Sequence, residues 1–329
     1  MIEMRVMDRY YLGIDTSAYT TSISAVNQDD EIVFEGRKIL KVSTGKRGLR
    51  QQEAVFQHLN NLPRMIEKLI EEIDKSKIVT VSASVKPRNN EESYMPVFKV
   101  SQGQAFILSK ILGVQYKEFS HQEGHIAAGL LGCRVDLSND FLVLHISGGT
   151  TELLYVRNDN HNYDINIIGG TKDISAGQLV DRIGVKLGLQ FPCGGKLDTL
   201  SQQGVTISDK IPISTTNSWI NFSGAETFFY KLIDEMYKPE DIAKSVFHCI
   251  SLSLVNIINY AISQFNIKDV LIIGGVASNS YVRDILDMEI LRKNKATLYL
   301  PPKEFCTDNA IGIACLGRKN RGIKSYGGL

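Results

Sequence analysis

Residues 120–129 read SHQEGHIAAG, with His121 and His125 four positions apart. On a helix such positions share a face, so both imidazoles can reach one ion. Capping and packing are the other uses of a histidine near a helix start. The HExxH pattern of zinc peptidases puts its general base directly after the first histidine. Gln122 stands there instead, and Glu123 follows it. Glu123 lies about 200° around a helix from His121 and should point away from an ion. A metallopeptidase is therefore disfavoured. A third ligand is available in FCTDNA, where Asp308 is expected at the start of the last helix; its other reading there is a helix cap. Two imidazoles and one carboxylate with open positions suit one divalent ion, whether iron, zinc or manganese.

Three polar turns leave expected strands: DTS (Asp15, Thr16, Ser17), SGGTT (opening Ser147, Gly148, Gly149) and GGVASN (Gly274 and Gly275 through Asn279). Glycine pairs at strand ends let backbone N–H groups approach an anion, and neighbouring hydroxyls add donors. A nucleotide held between two lobes would take one phosphate-binding turn from each, the third touching sugar or base. One Gly-Gly turn alone is a plain connection. Further on, SAGQLVDRIG puts Asp181 one turn inside a helix. FPCGGKLD, which follows, reads as a loop able to wrap a substrate, with Asp198 available for hydroxyls.

Those residues need a scaffold. The chain has 329 residues, 43% apolar and 22% charged, which suits two domains or one fold of two lobes. Strands are expected at YYLGID, TSISAV and EIVFEG. An amphipathic helix over 51–74 follows, with Val55, Leu59, Leu62, Ile66, Leu69 and Ile73 as its apolar face. Strand KIVTVSA, helix 99–112 and strand VQYKEF lead to the histidine helix. A second round opens with the hairpin FLVLHISGGTTELLYV and again alternates helix and strand to the C-terminus. Both halves thus begin with a hairpin, giving an α/β chain of two similar lobes. The expected division is 1–119 and 120–329, with the last helix packing back on the N-terminal lobe.

Net charge is +1, from 37 basic and 36 acidic residues, so a nucleic-acid partner would need a local patch. Candidates are Arg37, Lys38, Lys41, Lys46, Arg47 and Arg50, and at the other end Arg318, Lys319, Arg321 and Lys324; such runs also serve as solvated faces. The first ten residues lack the apolar core of a signal peptide, and no stretch reads as a membrane span. Five cysteines, odd in number and never spaced CxxC, point to a reduced, cytoplasmic chain.

In this order LGIDTS, HQEGH, ISGGTTELL, SAGQLVDR, LGLQFPCGG, FSGAET, IIGGVASN and LPPKEFCTDNAIGIA resemble the TsaD family over nearly the whole chain. These are the tRNA N6-adenosine threonylcarbamoyltransferases, formerly grouped as glycoproteases or peptidase family M22. The resemblance implies the two-lobed α/β fold of the actin-like, Hsp70-like (ASKHA) ATPases. It implies His121, His125 and Asp308 as metal ligands, and Asp15 and Asp181 as catalytic residues. His145, Ile146, Ser147, Gly148, Gly149, Asp181, Gly194, Asp198 and Asn279 fall on its nucleotide- and substrate-binding positions, beside the glycines Gly274 and Gly275. An adenine nucleotide is the implied ligand and tRNA the implied partner. TsaB-like and TsaE-like proteins are implied too, with an enzyme that makes threonylcarbamoyl-AMP. Asp15, Thr150, Gln178 and Glu226 depart from the family's usual glutamate, histidine, glutamate and lysine, as in a diverged bacterial paralogue. Two readings follow: a transferase, or a nucleotide- and metal-binding regulator without transferase activity.

Overall fold

A computed structural model of the chain describes residues 8–42, 49–90, 92–159, 162–207, 210–294 and 296–319. Lys46, Arg47, Arg321 and Lys324 lie outside the described residues. Contacts group the rest into two compact units. One holds the described residues up to Asp136, with Asp159, Tyr163 and those from Asp308 on; the other holds Leu137–Asn158 and Asp164–Thr307.

In the first unit, β1 (Tyr10–Thr16) buries everything from Leu12 on, as a strand covered on both faces must. It pairs antiparallel with β2 (Thr20–Val26), which continues to the edge strand β3 (Ile32–Ile39). Helix α1 (Gln51–Glu72), β4 (Ile78–Lys86), α2 (Phe98–Leu112), β5 (Gln115–Ser120) and α3 (His121–Gly132) follow. Strand β4 runs parallel to β1 and β5 parallel to β4, giving the order β3-β2-β1-β4-β5. The 119/120 boundary expected from sequence falls just ahead of α3, whereas this unit continues through α3 to Asp136.

The buried face of α1 is Ala54, His58, Asn61, Leu62 and Leu69, while Leu59, expected on it, is 47% exposed. The shift has a polar cause. Thr21 on β2 bonds both His58 and Asn61, at 2.8 and 3.1 Å, and these contacts turn the helix. The helix also stops short of residue 74, since Ile73 is extended and the Asp74 carboxylate accepts the Ser76 N–H.

The second unit opens with the antiparallel pair β6 (Phe141–Ile146) and β7 (Thr151–Asp159), then β8 (Asn162–Thr171). Helices α4 (Ala176–Lys186) and α5 (Gly194–Ser201), the short strands β9 (Thr215–Thr216) and β10 (Trp219–Ile220), and α6 (Ser223–Asp234) come next. After them run α7 (Pro239–Phe265), β11 (Asp269–Ile273), α8 (Ser280–Asn294), β12 (Thr297–Tyr299) and α9 (Lys303–Cys306). The sheet order is β12-β11-β6-β7-β8-β10-β9, with β11 parallel to β6 and to β12. Helix α7 is long and apolar enough to cross a membrane, but its apolar stretch is 72% buried, as befits a core helix. Asp173 anchors α6 by accepting the Phe222 and Ser223 N–H groups at 2.8 and 2.9 Å. Burial alone would raise its pKa, but these donors and Ile174 outweigh that and hold it at about 2. A lowered folded pKa stabilises above the unfolded value near 3.8 and fades as pH falls toward 2. Urea unfolding should therefore lose stability between pH 4 and pH 2 in the parent, and Asp173→Asn should flatten that slope.

Helix α10 (Ile311–Arg318) belongs to the first unit and packs on α3 and β1. A Cβ at Gly312 would sit 1.9 Å from the Gly124 carbonyl and 2.7 Å from the Ala128 nitrogen, so α3 and α10 meet backbone to backbone. Gly312→Ala should cost about 2–3 kcal/mol in denaturant unfolding by forcing the two helices apart. An unchanged midpoint would contradict that packing.

Candidate metal centre and phosphate-binding turns

Ser120 ends β5 and starts α3 through a reciprocal cap. Its Oγ accepts the Glu123 N–H, and Glu123 Oε2 accepts the Ser120 N–H at 2.8 Å. That pairing occupies Glu123 away from the histidines, and its S-x-x-E signature was legible in SHQE. His121 is thus the first residue of α3, with His125 one turn on. Their Nε2 atoms lie 3.0 Å apart; Asp308 Oδ1 is 3.2 Å from His125 Nε2 and 3.6 Å from His121 Nε2. Metal–ligand bonds of about 2.1 Å put neighbouring donors on one ion roughly 3.0–3.4 Å apart. The set fits a divalent ion. Asp308 keeps 29% of its side chain exposed, so the centre is open to solvent on one side.

Asp15 stands behind the histidines. Its Oδ1 accepts from His121 Nδ1 at 2.8 Å, which leaves Nε2 facing the other ligands. Asp15 is fully buried, and its Oδ2 has no hydrogen-bond partner among the described residues. Burial disfavours a charged His121, yet Asp15 and then Asp308 outweigh it and push its pKa up to about 10. Burial likewise works against ionised Asp308, but both histidines hold it well below the carboxylate range. Asp308 does not start the last helix, as the sequence led one to expect. Helix α10 begins at Ile311, whose N–H goes to Asn309 Oδ1 at 3.0 Å. Asp308 lies ahead of it, and its Oδ2 accepts the Ser17 hydroxyl at 2.6 Å.

The second unit gathers most of the other candidates. His145 and Ile146 end buried β6 and lead into the turn Ser147, Gly148, Gly149, closed by Ser147 N–H to Thr150 O at 2.8 Å. Helix α4 starts against this turn: a Cβ at Gly177 would lie 2.4 Å from Gly148 Cα, and Ser175 Oγ donates to Gly148 O at 2.8 Å. Gln178 closes a second reciprocal cap, its Oε1 accepting the Ser175 N–H at 3.1 Å. Gly274, after β11, has φ +100° and would place a Cβ 2.3 Å from the Ile146 carbonyl. Gly148, Gly149, Gly194, Gly195 and Gly275 are different, since an added Cβ there meets nothing within 4 Å. Packing does not require glycine at these positions.

The stretch read as a loop at FPCGGKLD turns helical at Gly194, because Asp181 Oδ1 accepts the Cys193 N–H at 2.8 Å and secures the start of α5. One turn on, Asp198 Oδ1 accepts from Asn279 Nδ2 at 2.7 Å, while Asn279 Oδ1 accepts the Val282 N–H of α8 at 2.9 Å. Burial raises the pKa of both Asp181 and Asp198; Lys303 and Lys244 partly offset it at Asp198. Sequence reasoning missed Gly177 and Ser175, and read Ser17 as part of an anion-binding turn rather than as a donor to Asp308, because their partners are distant in the chain. Among the described basic candidates, Arg37 pairs with Glu35, Arg318 with Asp30, and Lys319 with Asp136 at 3.8 Å. Those three are paired, half-buried charges.

Comparison with known proteins identifies the family and the fold. The family model for tRNA N6-adenosine threonylcarbamoyltransferase, TsaD, matches residues 37–315. A tRNA N6-adenosine threonylcarbamoyltransferase of Thermosipho africanus is 30% identical, over 95% of this chain and 96% of its own. The Bacillus subtilis enzyme is 28% identical, over 94% and 90%. A "Probable bifunctional tRNA threonylcarbamoyladenosine biosynthesis protein" of Methanocaldococcus jannaschii is 29% identical over 93% of this chain, which spans only 54% of that longer protein. Among solved structures, Acidaminococcus fermentans (R)-2-hydroxyglutaryl-CoA dehydratase component A aligns with TM-score 0.56 at 16% identity, covering 94% of this chain and 98% of that one. HypF of T. kodakarensis aligns with TM-score 0.62 at 13% identity, covering 95% and 48%. The fold is thus the two-sheet α/β fold of the actin-like ATPases.

Proposed function

The chain belongs to the TsaD family of tRNA N6-adenosine threonylcarbamoyltransferases, and from that premise we propose that it transfers a threonylcarbamoyl group from threonylcarbamoyl-AMP to N6 of the adenosine next to the tRNA anticodon. The observation that carries the proposal is the ligand set of His121, His125 and Asp308, complete and braced by Asp15 and Ser17. A regulator without chemistry has little need of all three ligands.

In the transfer, the N6 amine attacks the carbamoyl carbon. The new C–N bond forms as the bond from that carbon to the phosphate oxygen breaks; AMP departs with that bond's electron pair, and the amine gives up one proton to solvent water. A divalent ion, iron, zinc or manganese, would supply Lewis-acid polarisation of acyl and phosphate oxygens. The chain's own residues do the rest. Asp15 holds His121 in the tautomer that presents Nε2. Backbone donors at Ser147, Gly148, Gly149, Gly274 and Gly275 take the adenylate phosphate, on the β6 end formed by His145 and Ile146. Asp198, steadied by Asn279, accepts ribose or threonyl hydroxyls, and Asp181 fixes the Cys193–Gly194 backbone beside it. TsaB-like and TsaE-like proteins and a threonylcarbamoyl-AMP-making enzyme are the proposed partners, in the cytoplasm.

The test is to offer purified protein threonylcarbamoyl-AMP and unmodified tRNA, and to follow threonylcarbamoyladenosine by mass spectrometry. Accumulating product supports the transferase. A chain that binds metal and nucleotide but never modifies tRNA, even with the partner proteins added, is the regulator instead.

A further inference from the structure

We propose that His58 is a positioning residue for the metal centre, setting the orientation of Ser17 and, through Ser17, that of the Asp308 carboxylate. The inference rests on reading His121, His125 and Asp308 as a metal site.

His58 sits on α1, fully buried, with both ring nitrogens engaged: Nε2 lies 2.8 Å from the Ser17 carbonyl and Nδ1 2.8 Å from Thr21 Oγ1. A carbonyl can only accept, so Nε2 carries the proton. Nδ1 must then accept, and the Thr21 hydroxyl donates to it. That leaves Thr21 Oγ1 free to accept the Asn61 Nδ2–H at 3.1 Å. Every donor in the series Asn61, Thr21, His58, Ser17 is thereby assigned, and the reverse order is impossible. Burial, the largest influence on the ring, favours the neutral form that this order needs.

The series ends on the metal centre. Ser17 is the residue whose hydroxyl donates to Asp308 Oδ2 at 2.6 Å. Asp308 precedes α10 and lies in no helix or strand, so no regular backbone pattern fixes its side chain. The turn that carries Ser17 is pinned at its other end, where Thr16 Oγ1 is 2.8 Å from both the Val97 carbonyl and Ser101 Oγ. It also carries Asp15, which orients His121. One three-residue turn therefore braces a histidine ligand and the carboxylate ligand, and His58 clamps its Ser17 end. A core position with packing duty alone is better filled by leucine, which has no polar group to desolvate.

The test is a double-mutant cycle on metal-stripped protein, reading zinc(II) affinity by competition with a chromogenic chelator and, separately, the melting temperature. His58→Leu should weaken zinc binding about tenfold, in the range for outer-shell partners of ligands. Ser17→Ala should do the same, and the double variant should be no worse than Ser17→Ala alone. His58→Gln, whose amide can still donate to the Ser17 carbonyl, should recover part of the affinity. A merely structural histidine would lower the melting temperature in both backgrounds while leaving zinc affinity unchanged, and that result would overturn the inference. So would losses that multiply in the double variant. A parent chain that binds no zinc, iron or manganese would instead sink the metal reading, and this inference with it. If His58→Leu does not fold, His58→Asn, whose shorter amide falls short of Ser17, takes its place in the cycle.

Discussion

Asp308→Ala is expected to leave a folded chain that retains no metal and forms no threonylcarbamoyladenosine above background. Asp308 caps no helix, because Asn309 serves Ile311 at the start of α10, so α10 can form without its carboxylate. Its loss removes one of three ligands and leaves the Nε2 atoms of His121 and His125, 3.0 Å apart, without the anion that both face. Lewis-acid polarisation is worth several kcal/mol of barrier, which converts to about a thousandfold or more in rate. Elemental analysis and nucleoside mass spectrometry check both halves. A variant that keeps stoichiometric metal, or turns over within a few-fold of the parent, would remove Asp308 from the centre.

Gly149→Val should abolish binding of ATP or AMP while leaving the melting temperature unchanged. An added Cβ at Gly149 meets no protein atom within 4 Å, so the new side chain fills only the space above the turn. There it would block backbone donors from a phosphate, and affinity should fall by about a hundredfold or more. Gly177→Ala is the control, because its Cβ would lie 2.4 Å from Gly148 Cα and must strain the fold itself. Calorimetry separates the two. Unchanged nucleotide affinity in Gly149→Val would take the phosphate away from this turn.

The strands and both hairpins were legible because short apolar runs end in hydroxyl- and glycine-rich turns, as at Asp15–Ser17 and Ser147–Gly149. The histidine pair was legible from spacing, and Asp308 from the chemistry of a third ligand. What escaped depends on partners far away in the chain. The buried face of α1 was set a step off because His58 and Asn61 count as polar until Thr21, on another strand, is known to receive them. GGKLD read as loop because two glycines usually mark one, whereas Asp181 supplies the cap that starts α5. Asp15 read as part of an anion-binding turn; its hydrogen-bond partner, His121, is more than a hundred residues on. Helix α3 was assigned by chain order to the second lobe, but the close approach of Gly124 and Gly312 holds it in the first unit.

The most direct test of metal-dependent transfer is to strip the protein with chelator, return iron(II) or zinc(II) in graded amounts, and measure tRNA modification against bound metal per chain, with partner proteins present. Product should rise in proportion to occupancy, reach its plateau at one ion per chain, and stay at background in the His121→Ala/His125→Ala double variant. Undiminished modification by the stripped protein, or by that double variant, would contradict the account.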